Sequence, residues 1–297
     1  MPNNPPPGSE KTAAPVPSME PGFVRLPDPA SLFRTRAVRL SELAIGHRLA
    51  PYLTFLAALA RIQENLAASA LPPAALAPEG APLNRSRFVP AEPERALADA
   101  FLAALAGVAM PEPAAAALRR VRQSDAASRT AALKQALATP APTEALPEHA
   151  LLCAALQIAF SRRAAGLAPE TLSPGPAGSC PICASPPLAS LLVRWPGARG
   201  ARYCGCGLCG CFWLHPRITC TLCGATQGIE YHGIDGDAGT IKAESCSSCR
   251  RYVKILHQFK DPAMEPLADD IASLGLDLLM QETGFARGAV NPFLLGY

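Results

Sequence analysis

The sequence has few charged side chains and no long uninterrupted apolar run. Asp, Glu, Lys and Arg make up 17% of its 297 residues and the formal net charge is +3, whereas soluble domains usually contain roughly 25% charged residues. So small a net charge gives no electrostatic argument for nucleic acid or anionic lipid as a partner. The longest apolar stretch, Phe101 to Leu118, is interrupted by Pro111, Glu112 and Pro113, and a membrane span needs about 20 apolar residues. We therefore expect neither membrane insertion nor nucleic-acid binding.

Other familiar signals are also missing. Residues 1–22 are polar and rich in proline, without the basic start and apolar run of an export signal, so we expect a disordered tail and a cytoplasmic protein. The chain shows no Ser/His/Asp order, phosphate-binding loop or Gly-rich dinucleotide fingerprint, and we do not expect an enzyme. Hydrophobic residues make up 49% of the chain, which supports a buried core.

Residues 23–175 have the periodicity of helices. Apolar residues such as Leu53, Leu56, Leu59 and Ile62 recur at spacings of three and four, which places them on one helix face. Pro51 should end or kink the first helix, because proline lacks a donor and clashes with the preceding turn. We predict an all-helical domain of five or six helices, with helical segments near 38–66, 93–107, 114–123, 125–138 and 147–165.

Residues 176–256 differ in composition from the helical region. A linker at 171–179 leads into a segment rich in Gly and Cys, with too few apolar residues for an ordinary core. Short β-type pieces are expected at 190–195, 201–203, 217–219 and 228–232. Small domains of this kind generally depend on metal ions or disulfides.

The last segment, 257–297, is predicted to return to helix. Pro266 occupies the favoured first helical position, and apolar residues from Leu267 to Leu278 fall on one face. Asp269, Asp270 and Asp277 are expected to be capping or solvated charges near the helix N-terminus, with a partner-docking face as the alternative.

Ten of the eleven cysteines lie between Cys180 and Cys249, and eight of them form Cys-x-x-Cys pairs. The first two pairs along the chain form one set and the last two form another. In each set, 22 residues separate the first pair from the second. Adding 40 to each member of the first set gives a member of the second set, which indicates a tandem duplication of one small unit. The pairs are Cys180/Cys183, Cys206/Cys209, Cys220/Cys223 and Cys246/Cys249.

This spacing is typical of tetrahedral metal sites. Two intervening residues allow a tight turn to direct both sulfurs at one ion, and a hairpin brings a second turn opposite the first. We predict one site at Cys180, Cys183, Cys206 and Cys209, and a second at Cys220, Cys223, Cys246 and Cys249. Four thiolates suit zinc and iron equally. Redox-active dithiols or disulfides, and a metal shared between the first and third pairs, remain alternatives.

Several neighbouring residues complicate the pattern. Gly210 and Gly224 follow their pairs at a position that often needs positive φ, whereas Ala184 and Arg250 do not fit, so those two turns are expected to be strained or differently shaped.

Cys204 and Cys211 are expected to be spare thiols, although either could replace a ligand. We expect non-ligand roles for a group of three histidines and a core role for one cysteine: His215, His232, His257 and Cys153. Five basic residues near the pairs could compensate the negative charge of the sites, and ordinary solvated charges are the alternative: Arg202, Arg217, Lys242, Arg250 and Arg251.

The sequence also resembles the formate dehydrogenase accessory (formation) proteins, the FdhE family. The resemblance covers nearly the whole chain after the tail, and its most specific part is near the C-terminus. The matching motifs include Leu32-Phe-Arg-Thr-Arg-Ala-Val-Arg-Leu40, Cys180-Pro-Ile-Cys-Ala-Ser-Pro-Pro187, Cys206-Gly-Leu-Cys209, Cys220-Thr-Leu-Cys-Gly224, Glu244-Ser-Cys-Ser-Ser-Cys249, Glu265-Pro-Leu-Ala-Asp-Asp-Ile-Ala-Ser-Leu-Gly-Leu-Asp-Leu-Leu279 and Asn291-Pro-Phe-Leu-Leu295.

The resemblance implies a function that the spacing alone does not. Members of the family are cytoplasmic, bind iron through rubredoxin-like cysteine sites and contact the catalytic subunit of respiratory formate dehydrogenase, which they help to activate. We expect an α + small β fold: an all-helical N-terminal domain, tandem rubredoxin-like or zinc-ribbon-like metal modules, and a C-terminal helix packing back. The alternatives are a zinc-ribbon module that binds nucleic acid or protein, and a rubredoxin-like electron carrier. The oligomeric state is left open.

Overall fold

The computed structural model describes residues 21–68, 80–138, 145–234, 236 and 238–294. Among these residues, the helices that precede the cysteine-rich region are α1 (Pro29–Leu43), α2 (Ala50–Ala67), α3 (Glu92–Leu105), α4 (Glu112–Gln123), α5 (Ala126–Ala136) and α6 (Leu146–Ala165). The predicted helical character of this region is thus confirmed. Residues 1–20 of the expected tail lie outside the described ranges.

Local signals explain where these helices begin. All of them except α5 have proline in the first turn, where the missing N–H has no helical partner to lose. Pro51 therefore starts α2 instead of ending α1. Asp125 caps α5 by accepting a hydrogen bond from the N–H of Ser128 at 2.8 Å. Helix α6 is buried along almost its whole length and packs against α2, α3, α4 and α5, so it is the central helix of the bundle.

Apart from a short 3₁₀ helix at Pro169–Thr171, the remaining described elements form one mixed sheet and two helices. The strands are β1 (Val24–Arg25), β2 (Pro187–Leu192), β3 (Arg202–Cys206), β4 (Phe212–His215), β5 (Ile229–His232), β6 (Ile241–Cys246), β7 (Arg251–His257) and β8 (Ala286–Arg287). The helices are α7 (Pro266–Ala272) and α8 (Leu274–Gln281). The strand order is β1-β4-β3-β2-β7-β6-β5, with β8 beside β7.

The duplication seen in the sequence is visible in this order. Strands β2, β3 and β4 form an antiparallel unit, and β5, β6 and β7 form a second one about 40 residues later. The first strand of the first unit pairs in parallel with the last strand of the second, with Ser190 opposite Ile255. The two cysteine modules therefore share one continuous sheet.

Two expectations about local structure were wrong. Residues 217–219 form a turn, not a strand. The predicted C-terminal helix is divided into α7 and α8 at Ser273. Among the described residues, no helix combines the length and apolar character needed to cross a membrane.

The aspartates of α7 and α8 are buried and paired, so the expectation of solvated charges was wrong. Asp270 and Asp277 lie at 0% and 1% exposure. The Nζ atom of Lys254, on β7, lies 3.2 Å from Asp270 and 2.5 Å from Asp277. Arg287, on β8, pairs with both carboxylates. Two cations thus balance two anions and fix the C-terminal segment on the second cysteine module.

Further pairs connect α7 to the helical domain. Arg36 of α1 donates to Glu265 at 3.0 Å, and both side chains are buried. Arg39 of the same helix donates to Asp269 at 2.6 Å and to Asp261 at 2.5 Å. Because the partners are more than 200 residues apart in sequence, these contacts lock the C-terminal segment between the helical bundle and the sheet.

Candidate metal centres

The four cysteine pairs lie in turns that share one backbone geometry. In each turn, the N–H of the residue after the second cysteine donates to the carbonyl of the first cysteine, over 2.9 to 3.2 Å. That residue has positive φ in all four turns, a conformation that glycine adopts without strain. It is Gly210 or Gly224 in two turns, and Ala184 (φ 59°) or Arg250 (φ 54°) in the other two. The turns that contain Ala184 and Arg250 therefore have the same shape as the two glycine turns. In each of them a non-glycine residue adopts the strained conformation.

The first centre consists of the thiols of Cys180, Cys183, Cys206 and Cys209. These four sulfurs lie within 4.8 Å of one another. The Sγ atoms of Cys180 and Cys209 are 3.6 Å apart, and those of Cys183 and Cys206 are 3.4 Å apart. No member exceeds 4% exposure, so this centre is enclosed by protein.

The second centre consists of the thiols of Cys220, Cys223, Cys246 and Cys249, also within 4.8 Å of one another. The Sγ atoms of Cys220 and Cys249 are 3.8 Å apart, as are those of Cys223 and Cys246. Cys223 is exposed and Cys249 is partly exposed. The two centres therefore share a sulfur arrangement and differ in their access to solvent.

The sulfur spacing can be compared with that of a tetrahedral metal site. Metal–sulfur bonds of about 2.3 Å around a tetrahedral ion place the sulfurs about 3.8 Å apart. The second centre matches this spacing, and the first is slightly contracted. Each of the eleven cysteines is a free thiol, and no described group joins the first pair with the third. Both donor sets fit zinc or iron, because either ion accepts four thiolates.

Backbone amides support the sulfurs. The N–H groups of Ile182, Leu208 and Leu222 each donate to the first cysteine of their turn at 3.4 Å. These are donors that a thiolate needs when it is removed from water. The turns thus provide hydrogen bonds for negative charge on sulfur as well as the geometry.

The helical domain encloses the first centre. The N–H groups of Leu83 and Arg85 donate to the carbonyls of Ile182 and Cys183, at 2.8 and 2.9 Å. The buried guanidinium of Arg85 lies 3.3 Å from the hydroxyl of Ser185, to which the Cys183 thiol donates at 3.2 Å. A buried cation is therefore one hydroxyl away from the first centre.

A pair of buried glutamines connects the helices to the second turn of this centre. Gln63 of α2 donates to the side-chain oxygen of Gln157, on α6, at 2.9 Å. Gln157 in turn donates to the carbonyl of Gly207 at 2.6 Å. A Cβ at Gly207 would lie 3.0 Å from the carbonyl of Val290, so the C-terminal segment also contacts this turn.

The second centre has the C-terminal segment on one side and solvent on the other. Leu222, between Cys220 and Cys223, packs so closely that a Cβ at Gly288 would lie 2.0 Å from its side chain. A Cβ at Gly178 would lie 2.7 Å from the carbonyl oxygen of Leu222. The remaining side is open at Cys223.

Cys204 and Cys211, which were expected to be spare thiols, have different surroundings. Cys204 is fully buried in β3, and burial raises its pKa to about 12. Cys211 is also fully buried, but its Sγ atom lies 3.4 Å from those of both Cys180 and Cys209. The first centre therefore has a fifth sulfur beside it, which the sequence signalled only by the run Cys209-Gly-Cys211. Cys153 lies in α6, where burial raises its pKa to about 11.

The histidines form other contacts. His215 lies within hydrogen-bond distance of Thr219, and His232 contacts the hydroxyl of Ser245 at 2.8 Å. Burial, followed by nearby positive charge, lowers the pKa of both His215 and His257. Neither tetracysteine group contains a histidine.

Arg202, one candidate source of compensating charge, pairs with a carboxylate. Arg202 donates to Glu244 at 2.7 Å, and both side chains are buried. It also donates to the carbonyls of Arg217 and Thr219 at 3.2 Å. Its charge is therefore matched by a carboxylate and not by the thiolates. No motif or spacing had indicated the part played by Arg85.

The fold and these centres define a helical protein with a duplicated tetracysteine module in one sheet. Three family models match the chain in succession: "FdhE, N-terminal" over residues 21–176, "FdhE, central domain" over 179–217 and "FdhE, C-terminal domain" over 218–294. The boundary between the last two falls between the two cysteine modules. The chain belongs to the FdhE family, as its motifs indicated.

Individual relatives agree. A "Protein FdhE homolog" of Rhizobium meliloti (strain 1021) is 40% identical over 287 residues, covering 93% of this chain and 94% of that protein. A homolog of Cronobacter sakazakii (strain ATCC BAA-894) is 32% identical, covering 89% of this chain and 88% of that protein. The crystal structure of the FdhE protein from Pseudomonas aeruginosa superposes with a TM-score of 0.79 at 32% identity, over 92% of this chain and 99% of that one.

Proposed function

We propose that this chain is an accessory protein for formate dehydrogenase, which binds the catalytic subunit of that enzyme during its formation and carries iron in two tetracysteine centres. In this proposal the chain acts in the cytoplasm and does not itself catalyse a reaction. Membership of the FdhE family supports the link to formate dehydrogenase. The observation that carries the metal part is the convergence of eight thiols in two groups of four.

The proposed ligands are the eight paired cysteines. Sulfur spacings of 3.4 to 3.8 Å support this assignment, because they approach the spacing in a thiolate tetrahedron. Iron is proposed over zinc because of the rubredoxin-like resemblance, and zinc is the alternative because the donor set accepts both. Cysteines that form no disulfide suit a reducing compartment.

The functional part can be tested in a formate-oxidising bacterium that lacks the gene for this chain. Formate-dependent dye reduction should be lost and then restored by the wild-type chain. Replacing Cys183 or Cys223 with Ala should abolish restoration if both centres are required. Cys204→Ala is the matched control, because Cys204 is a buried thiol of the same module that belongs to neither group.

Binding can be measured separately from activation. The purified chain, immobilised without air, should retain purified catalytic subunit, and metal-depleted chain should retain less. Full restoration of enzyme activity by metal-free variants would contradict the metal-dependent role. Normal formate oxidation in the strain without the gene would contradict the accessory function itself.

A further inference from the structure

A fifth thiol lies beside the first centre. Cys211 directly precedes β4, and its carbonyl accepts a hydrogen bond from the N–H of Cys206 at 2.9 Å, which fixes its backbone next to the turn. Its sulfur is 3.4 Å from Cys180 and 3.4 Å from Cys209. Those distances are similar to the spacing between the paired sulfurs themselves, so Cys211 lies as close to two members of the group as they lie to each other.

The duplicated module gives an internal comparison. Each centre has two residues that lie two positions after a cysteine pair. They are Ser185 and Cys211 in the first centre, and Ala225 and Arg251 in the second. The first centre thus has a hydroxyl and a thiol at these positions, both buried. The second has a methyl group and an exposed guanidinium-bearing side chain. A reserve sulfur is therefore available to one centre and not to the other.

We propose that Cys211 is an exchangeable ligand of the first centre, able to replace Cys209. An ion in this centre would be held by Cys180, Cys183, Cys206 and either Cys209 or Cys211. Whichever of the last two did not hold the ion would carry the proton as a thiol, 3.4 Å from the other sulfur. Charge and oxidation state are unchanged, so no external oxidant or reductant is needed.

This inference depends on the metal binding proposed above, and its test separates the two. Four variants are purified without air: Cys209→Ala, Cys249→Ala, Cys211→Ala and the double variant Cys209→Ala/Cys211→Ala. Metal ions per chain are counted by mass spectrometry, and sulfur neighbours by X-ray absorption. Cys249 is the matched control, because it lies 40 residues after Cys209 and has Arg251 where Cys209 has Cys211.

Wild type and Cys211→Ala should each hold two ions per chain. Cys209→Ala should also hold nearly two, with four sulfur neighbours, whereas Cys249→Ala and the double variant should hold one. Loss of an ion from Cys209→Ala to the same extent as from Cys249→Ala would overturn the exchange. Absence of metal from the wild type would instead overturn the proposed metal binding.

A second measurement decides the matter should Cys209→Ala fail to fold. A chelator is added to wild type and to Cys211→Ala, and the slower phase of metal release is followed. A reserve ligand recaptures an ion that has lost one bond, so release from the first centre of Cys211→Ala should be roughly ten-fold faster, as for loss of a supporting group near a metal. Equal rates would contradict the proposal.

Discussion

Arg202 and Glu244 form a buried ion pair between the two cysteine modules. The guanidinium lies on β3 and the carboxylate on β6, their nearest atoms are 2.7 Å apart, and the side chains are 0% and 2% exposed. Arg202 also donates to the hydroxyl of Ser190 at 2.9 Å. Since β2 and β7 separate the two strands in the sheet, this contact joins the modules across the face of the sheet.

Removing one charge of this pair should destabilise the chain strongly. Glu244→Gln leaves a buried guanidinium without its counterion, and such changes cost about 3–5 kcal/mol of unfolding free energy. Urea unfolding followed by circular dichroism measures this cost. Glu64→Gln is the control, because its partner Arg34 is 65% exposed and water replaces the lost contact. Equal effects of the two changes would show that burial of the pair does not matter.

Neighbouring aspartates of α7 should have opposite effects on acid stability. Burial would raise the pKa of Asp270, but Arg287 and Lys254 hold it below the ordinary value. Its stabilising effect is therefore complete above the unfolded-state pKa of about 3.9 and is lost as the pH falls through the lower folded-state pKa. The difference in unfolding free energy between wild type and Asp270→Asn should shrink as the pH falls below about 4.

Asp269 provides the contrast. Burial raises its pKa despite the pairing with Arg39. Its effect on stability is therefore largest at low pH and declines as the pH rises through the folded-state pKa. The difference between wild type and Asp269→Asn should grow with acidification. Parallel pH dependences for the two variants, measured by urea unfolding, would contradict the assigned environments.

Replacing Ala184 with glycine should stabilise the chain. The left-handed conformation costs a residue with a Cβ about 1–2 kcal/mol, and the extra chain entropy of glycine offsets about 0.5–1 kcal/mol of that gain. We expect the unfolding free energy to rise by up to about 1 kcal/mol. Gly210→Ala is the reverse change and should destabilise, since its Cβ would also lie 2.5 Å from Leu32. A destabilised Ala184→Gly would refute the strain argument.

Metal should leave the two centres at different rates. Cys223 is exposed, whereas no thiol of the first centre exceeds 4% exposure. A chelator should therefore remove metal in two phases of equal amplitude, with the second centre accounting for the fast one. Cys223→Ala should eliminate the fast phase and leave the slow one. A single phase in the wild type would show that solvent access does not control release.

Local patterns predicted most of the helices and all four cysteine turns. Spacings of three and four, and the 40-residue offset between cysteine pairs, are signals that neighbouring residues carry. The turn after each pair needed no knowledge of the rest of the fold. Positive φ after the second cysteine was predicted from Gly210 and Gly224. Ala184 and Arg250 also have positive φ at this position.

Strands β6 and β7 were not predicted because charged residues interrupt them. Glu244 and Lys254 break the apolar alternation that marks a strand, yet both are buried, with partners on β3 and on α7 and α8. Asp270 was assigned to solvent for the same reason. A charge is buried only where its counterion is folded against it, and sequence does not show which distant residues will be neighbours.

The fifth sulfur was also beyond local prediction. Cys211 lacks a counterpart in the repeat, and this difference suggested a spare thiol. Its closeness to Cys180 depends on two turns that meet only in the folded chain.

The most direct test of the central claim is X-ray absorption at the metal edge, combined with metal analysis, on wild-type chain purified without air. Thiols that converge in fours predict two ions per chain, each with four sulfur neighbours at about 2.3 Å. Nitrogen or oxygen neighbours in place of sulfur, or a chain without bound metal, would contradict it.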